Sequence, residues 1–473
     1  MKKKSTHRRG RWPLPQVLTL ATVATIGVAG CDTDSLLEVD EPEFATPISL
    51  DNPAALPTLI AGALGDFQVS YSGAGGDALL TSVAVFTDEF YSSGTFLTRT
   101  VMDQRDLFPT AQGNTSDAAF STLQRARRSL KDAAESVGRV ASATDPRIVP
   151  LRALEGYTYV AVGENFCSNV PFSNVVNGVR EEGDPLPTAQ IFEEGIARFN
   201  LALAITPNSN LAKVGKARAL LNQGKYQEAA AAVAGVPRTF VHFIEHSVNS
   251  ARQQNPIFAL QANRRYSVSN NEGGSGPPFD TPTTDGEGLS FRIPQDPRVP
   301  WREDPLRGFD NTFPLYVSLR YPDFGTDVPL ATGVEAQLIL AEAALQGNRP
   351  AEFLSILNSL RADVTPLMNV MFPEAVYPAD FPRTLAPLTD PGTQAGRVDL
   401  LFQERGFWLY NTAHRLGDLR RLVRQYNRQQ QNVFPSGPYF KGGVYGDDVN
   451  FPVPFDEANN SLFDPASCNT KQA

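Results

Sequence analysis

The sequence is short of the residues that most catalysis uses. Of 473 residues only 4 are histidine and 3 are cysteine. One histidine, His7, falls in the basic leader, which leaves His242, His246 and His414 for any site. No G-x-S-x-G nucleophile turn stands beside a plausible histidine, and Gly73-Ala74-Gly75-Gly76 has neither the lysine of a phosphate loop nor the spacing of a dinucleotide fingerprint. Beyond residue 30 no apolar run approaches the roughly 20 residues that a membrane-crossing helix needs. Acids are missing from residues 1–30, which hold six basic side chains. The rest of the chain carries 36 basic against 51 acidic residues, a net −15. So acidic a body repels phosphate backbones, which argues against nucleic acid as a partner. What is present is ordinary for a globular chain, with 41% apolar and 20% charged residues, and a large aromatic stock of 29 Phe and 13 Tyr. Proline (37) and glycine (36) point to many irregular connections.

Lys2, Lys3, Lys4, Arg8, Arg9 and Arg11 precede an uncharged, mostly apolar stretch, Val17 to Gly30, that ends in small residues. This is the layout of a secretory signal. Val28-Ala29-Gly30-Cys31 resembles a bacterial lipobox, which makes Cys31 the expected site of lipid attachment and the first residue of the mature chain. Several acyl chains on one cysteine anchor a protein durably. Asp32, Asp34, Glu38 and Asp40, with Pro42 and Pro47, read as an acidic solvated tether over 31–48, before a body at 49–473. The two other cysteines, Cys167 and Cys468, then lie in a compartment that permits disulfides. A bridge between them is predicted, the alternative being two buried thiols. Closing so long a loop stabilises by roughly 4–5 kcal/mol in the chain-entropy model.

Several segments carry apolar residues at helical spacing. Leu123, Ala126, Leu130 and Ala134 mark a helix over about 117–136; Leu151, Leu154, Tyr157 and Ala161 mark a second; Ile191, Ile196, Phe199 and Leu203 mark a third. The stretch from Gly215 to Ala229 mixes small and large residues around Gly224, in the manner of a tetratricopeptide helix pair. Ala217 and Ala229 allow close approach of two helices, and Gly224 suits the turn. A related unit spans Val334 to Val364, turning at Gln346-Gly347-Asn348-Arg349-Pro350. One long helix is predicted from about Val398 to Arg428. The fold class is therefore mainly α: helix pairs at about 49–236, 331–364 and 397–430 form a scaffold. Loop-rich stretches at about 237–330, 365–396 and 431–473, with little β, form a surface mounted on it. Long ordered loops of this kind are usually functional.

Taken in order, several motifs resemble those of SusD/RagB lipoproteins: the lipobox, Leu59-Ile60-Ala61-Gly62-Ala63-Leu64-Gly65-Asp66-Phe67, Ala341-Glu342-Ala343, Leu357-Asn358-Ser359-Leu360-Arg361, Glu404-Arg405-Gly406-Phe407-Trp408-Leu409, His414 to Arg421, and the closing Phe451-Pro452-Val453-Pro454 with Glu457, Asn459 and Asn460. The resemblance implies a surface-exposed, non-catalytic lipoprotein held at the outer membrane by its lipid alone. It would bind an oligosaccharide or peptide nutrient and sit on a SusC-like TonB-dependent transporter, with no cofactor. The alternatives are a surface-anchored glycoside hydrolase and a helical-repeat scaffold for periplasmic assembly.

Two constellations invite other readings. His242-Phe243-Ile244-Glu245-His246 matches the H-x-x-E-H zinc-protease motif, which requires a helix. The β-branched and aromatic run around it favours a strand, on which the two histidines lie about 13 Å apart at roughly 3.3 Å per residue, too far to share one zinc. Glu404, Arg405, Arg415, Asp418, Arg420 and Arg421 look like a charged site, but are read as charges that lock helices together, with Arg415 and Asp418 able to pair one turn apart. Binding is expected at aromatics, whose flat faces stack on sugar C–H faces. Trp301, in a polar loop, is the first choice, with Tyr266, Phe90, Tyr91 and Phe96 as further ligand-binding candidates; Trp408 reads as core.

Overall fold

The computed structural model describes residues 52–73, 78–107, 115–176, 179–273, 276–280 and 288–473. The leader, Cys31 and the tether lie outside the described residues. In chain order the first part runs α1 (Leu56–Ser72), α2 (Leu79–Phe86), β1 (Phe90–Ser92), α3 (Leu97–Gln104), α4 (Thr115–Val140) and α5 (Ile148–Asn165). Two short ribbons follow, from β2 (Val170–Pro171), β3 (Asn174–Val176), β4 (Val179–Glu181) and β5 (Pro185–Leu186). Then come α6 (Thr188–Ile205), α7 (Asn210–Asn222) and α8 (Tyr226–Val233). The middle holds β6 (Val241–Ile244), α9 (Pro256–Ala262), β7 (Tyr266–Val268), β8 (Trp301–Glu303), β9 (Tyr316–Ser318) and β10 (Val328–Thr332). The last part is α10 (Gly333–Gln346), α11 (Pro350–Ala362), α12 (Val364–Met371), α13 (Gln394–Trp408), α14 (Arg415–Tyr426) and the short α15 (Gln430–Val433).

The helices pack as a row of pairs: α1 on α4, α4 on α5, α5 on α6, α6 on α7, α7 on α8, α8 on α10, and α10 on α11. The expected apolar faces point inward, since Leu123, Ala126, Leu130, Ala134, Leu151, Leu154, Tyr157 and Ala161 are all buried. Ala217 and Ala229 are buried as well, and Gly224 takes the left-handed φ of +73° that its turn requires. A closer approach occurs elsewhere. A Cβ at Gly156 would come within 2.8 Å of the Phe199 ring, and one at Gly215 within 2.4 Å, so two glycines on α5 and α7 make the slot for a ring from α6. Helix starts follow the local sequence: Ser209, Thr332 and Thr393 accept from Ala212 N, Glu335 N and Gly396 N.

The helix predicted from Val398 to Arg428 is two helices. Between α13 and α14 the chain is bent by Asn411 (φ 54°) and Ala413 (φ 62°). Distant partners hold the bend: Tyr71 Oη donates to Thr412 O, Tyr321 Oη donates to Asn411 O, and the Glu89 carboxylate accepts from Asn411 N. Apolar periodicity continues through the bend, so the break is decided by tertiary contacts that the local pattern does not contain. The strands pair two by two and antiparallel, β1 with β7, β2 with β5, β3 with β4, β6 with β10 and β8 with β9. Cys167, just after α5, is bonded to Cys468 across 301 residues, which fastens the C-terminal segment to the scaffold.

Candidate ligand-binding site

The loop-built part starts from the β1–β7 ribbon, where Tyr91 lies opposite Ser267 and Ser92 opposite Tyr266. Strand β9 adjoins it, with Tyr316 N donating to Ser267 Oγ at 2.8 Å, and β8 continues outward with Trp301 opposite Ser318. The segment 304–314 folds back over the end of the ribbon. Phe309 N donates to Ser93 O and to Arg264 O, and Gly308 packs so tightly that a Cβ there would lie 2.7 Å from Ser93 O. A second loop brings Lys441, whose Nζ donates to Gly94 O at 2.7 Å. A platform made of loops is thus tied down by backbone hydrogen bonds at several points.

The five ring-bearing candidates separate by depth. Phe90, Tyr91 and Tyr266 are buried, with at most 1% of their surface exposed. The Phe90 ring packs 5.8 Å from Tyr410 and 6.1 Å from Tyr266, while Tyr91 Oη donates to Pro314 O. Rings enclosed in this way support the platform, and their assignment moves from ligand contact to underpinning. The reason is the alternation of the ribbon: both of its faces are covered, one by the core and the other by Phe279 and Phe440, which meet Tyr91 edge-on. Trp301 is half-buried and lies in strand β8, where a loop was expected. It meets Tyr316 edge-to-face at 5.7 Å and donates from Nε1 to Arg292 O. Phe96 is 47% exposed.

Other rings of this region come together only in the fold. Phe279, Phe313 and Phe440 are mutual neighbours at 4.9–5.9 Å, and the Lys441 ammonium lies 5.9 Å and 5.7 Å from the Phe313 and Phe440 centroids. Phe309, 42% exposed, joins Phe96 around Arg265. The one local signal for the second loop is Tyr439-Phe440-Lys441-Gly442-Gly443, an aromatic–basic tip followed by two glycines with positive φ.

Three acids lie under this platform. Burial pushes the Glu89 carboxyl up to about 8 against the opposing Asn411 amide. It pushes Asp103 up to about 7 although Lys441, Tyr439 and Ser92 N favour its charge, and Asp88, buried beside Asp103, is raised well above the usual range. Raised carboxyls can serve as general acids, but these three are at most 1% exposed. Asp103 is built into the frame, accepting from Ser92 N at 3.0 Å and Tyr439 Oη at 2.8 Å.

The charged cluster of α13 and α14 is consumed in ion pairs. Asp418 accepts both Nε and Nη2 of Arg405 at 2.8 Å and also pairs with Arg421, which reaches Glu342. Glu404 pairs with Arg298 and Arg361. Arg420 meets no carboxylate among the described residues and donates to the carbonyls of Gly163, Glu164 and Phe166. The one-turn pair of Arg415 with Asp418 is replaced: Arg415 binds Glu272, because the break before α14 turns its side chain toward the loop region. Trp408 is core, fully buried.

His242 lies on strand β6, as its β-branched and aromatic neighbours imply, and His246 follows the strand. His246 is fixed by Ser72 Oγ and Gln68 Nε2, both at 3.0 Å, and burial lowers it to about 4. The two line a cleft of about 460 Å³ with Phe67, Leu154 and Phe243. Among the described residues no group of three His, Cys, Asp or Glu side chains is placed to hold a metal ion, and no helix is long and apolar enough to cross a membrane.

Comparison with protein-family models finds no match to the sequence, and comparison with curated proteins finds none either. Solved structures do match. A SusD-like protein from Bacteroides fragilis NCTC 9343 superposes with a TM-score of 0.60 at 11% identity, over 88% of this chain and 97% of its own. The chain has the SusD-like fold. A SusD/RagB family protein from Bacteroides thetaiotaomicron VPI-5482 matches with a TM-score of 0.56 at 11% identity, covering 86% of this chain and 96% of that one. A SusD-like carbohydrate-binding protein from Bacteroides vulgatus ATCC 8482 matches with a TM-score of 0.52 at 13% identity, covering 85% and 89%. With so little identity, the SusD-like fold has been kept here through packing, with few side chains in common.

Proposed function

We propose that this chain is a non-catalytic glycan-binding lipoprotein of nutrient uptake, anchored at the outer membrane through Cys31 and handing its ligand to a SusC-like TonB-dependent transporter. The observation that carries the reading is the loop-built platform. It places exposed Phe96 and Phe309, half-buried Trp301, and the Phe279–Phe313–Phe440 cluster with Lys441 on a rigid helical frame. Aromatic faces with hydrogen-bonding cations beside them are what a saccharide's C–H faces and hydroxyls require. The SusD-like fold and the carbohydrate-binding relative from B. vulgatus support the same reading. So does the use of the conspicuous acids in structural ion pairs.

The test is calorimetric binding of the full-length protein to a panel of oligosaccharides, with chromatography of the same mixtures. Saturable binding with unchanged saccharide is the expected result. Release of shorter products would establish a hydrolase instead. Co-purification from native membranes with a β-barrel transporter is expected in parallel, and its failure with a periplasm-facing anchor would favour the assembly-scaffold alternative.

A further inference from the structure

The end of the platform at Phe96 and Phe309 holds an arginine in an unusual setting. The Arg265 guanidinium carbon lies 3.9 Å from the Phe96 centroid and 3.8 Å from the Phe309 centroid. Two rings cannot occupy the same face of a planar group at that distance, so the guanidinium is stacked between them. Arg99 lies 4.9 Å from the same Phe96 ring. Gly94 leaves the room for this, since a Cβ there would be 3.2 Å from Arg265 Nη1.

Covering both faces leaves the edge of the guanidinium, with its fork of N–H donors, as the only part that can be engaged. No acceptor among the described residues engages it; Nη1 is itself buried without a hydrogen-bond partner, so the edge left for a ligand is the one formed by Nε and Nη2. Nor do Arg264, Arg265 or Arg307 form an ion pair with any carboxylate among the described residues. Arg264 donates to Arg307 O and Asn311 Oδ1, and Arg307 donates to Thr312 O. Of the two acids of this loop, Asp304 pairs with Arg302, and Asp310 accepts from Thr312 N and acts on Lys441. Partial burial and then the charge of Arg99 lower the Arg265 pKa, a repulsion that an anion at the fork would relieve. In an acidic protein of net charge −9, three arginines (Arg264, Arg265 and Arg307) without a carboxylate partner among the described residues, beside exposed Phe96, Leu97, Leu306 and Phe309, are a distinct chemical feature. A carboxylate or sulfate fits the fork in the plane of the guanidinium, and the exposed rims of the two rings offer apolar contact to the sugar that carries it.

We infer that Arg265, held between Phe96 and Phe309, is the selectivity element of this site and that the ligand is an acidic saccharide whose anionic group is received by the Nε–Nη2 edge of the guanidinium. This rests on the glycan-binding reading above. The experiment is calorimetry of the full-length, detergent-extracted protein with four probes: an oligogalacturonide, its methyl ester, a sulfated galactan oligosaccharide and a neutral galacto-oligosaccharide. An acidic peptide serves as a fifth. The uronate or the sulfate ester should bind about ten- to a hundred-fold more tightly than the uncharged pair, and the preference should shrink as salt is raised. Which of the two anions binds better identifies the source of the charge. Arg265→Gln should abolish the preference, and Arg265→Lys, which keeps the charge without the planar fork, should restore only part of it. Equal binding of acidic and neutral saccharides overturns the inference while leaving glycan binding intact. Preference for the acidic peptide overturns it by class, and absence of binding to every saccharide overturns both readings. The wild-type panel decides without any variant, so a poorly folding substitution does not protect the inference.

Discussion

Arginine does opposite work in the two regions of this molecule. In the helical frame Arg218, Arg405, Arg415 and Arg421 are buried and each meets at least one carboxylate at hydrogen-bond distance. On the loop platform Arg265 and Arg292 lie against aromatic rings, 3.8 Å from Phe309 and 3.5 Å from Tyr316, with no carboxylate among their hydrogen-bond partners. In the frame, a charge taken out of water has to be met by its opposite, and the pair then fixes which helices lie together. On the platform, ring faces hold the guanidinium in place and no carboxylate among the described residues meets it. The same side chain is a strut where its fork is filled by a carboxylate and is held by aromatic faces where it is not.

The contrast can be broken at the frame first. Glu404→Leu leaves Arg361 without its carboxylate and Arg298 with Asp296 alone, and should cost about 3 kcal/mol in denaturant unfolding. An equal substitution on the platform should cost far less. Removing the bridge with Cys167→Ser and Cys468→Ser should cost about 2–5 kcal/mol, read as a lowered thermal midpoint with the platform's ligand affinity retained.

The two regions should also oppose each other in pH. Glu89 and Asp103, raised by burial to about 8 and about 7, return to ordinary carboxyl values near 4 on unfolding. The folded chain then holds more protons than the unfolded one, so their contribution is fully present below about pH 4 and is lost as pH rises through 7 and 8. Asp418 behaves in reverse. Burial works to raise it, but Arg405 and Arg421 hold it well below the usual range, so its stabilisation is present above about pH 4 and lost as pH falls through its folded value. Glu89→Gln keeps an acceptor for Asn411 N. It should raise the thermal midpoint at pH 8 and change it little at pH 5; equal shifts at both would refute burial as the cause. The smallest structural effect belongs to Phe96→Ala, within about 0.5 kcal/mol because half the ring is already in water. Its ligand affinity should nonetheless fall by about ten-fold. Trp301→Ala should weaken binding similarly while loosening Tyr316, and unchanged affinity would remove Trp301 from the site.

The frame was legible because helices advertise themselves locally. Leu123, Leu130, Leu151 and Tyr157 repeat at the period of one buried face, and Gly224 marks a turn. The exposure of the aromatic candidates was half legible. Phe96 and Phe90 are six residues apart and equally apolar, yet one is on the surface and the other in the core. Nothing local separates them, because the covering of Phe90 comes from Tyr266 and Tyr410, far along the chain. Phe309 and Phe440 gave no periodic signal at all, since loop side chains have no repeat that points to a face.

By itself the sequence determined the helical pairs, the strand around His242, the Cys167–Cys468 bond and the structural use of the α13–α14 charges, which follow from short-range periodicity, β-propensity, charge spacing and the two cysteines left once Cys31 is set aside. Tertiary structure alone decided the break at Leu409–His414, the partner of Arg415, and the stacking of Arg265 between Phe96 and Phe309. Each of these depends on groups separated by tens to hundreds of residues, whose meeting is set by how the frame folds back on itself.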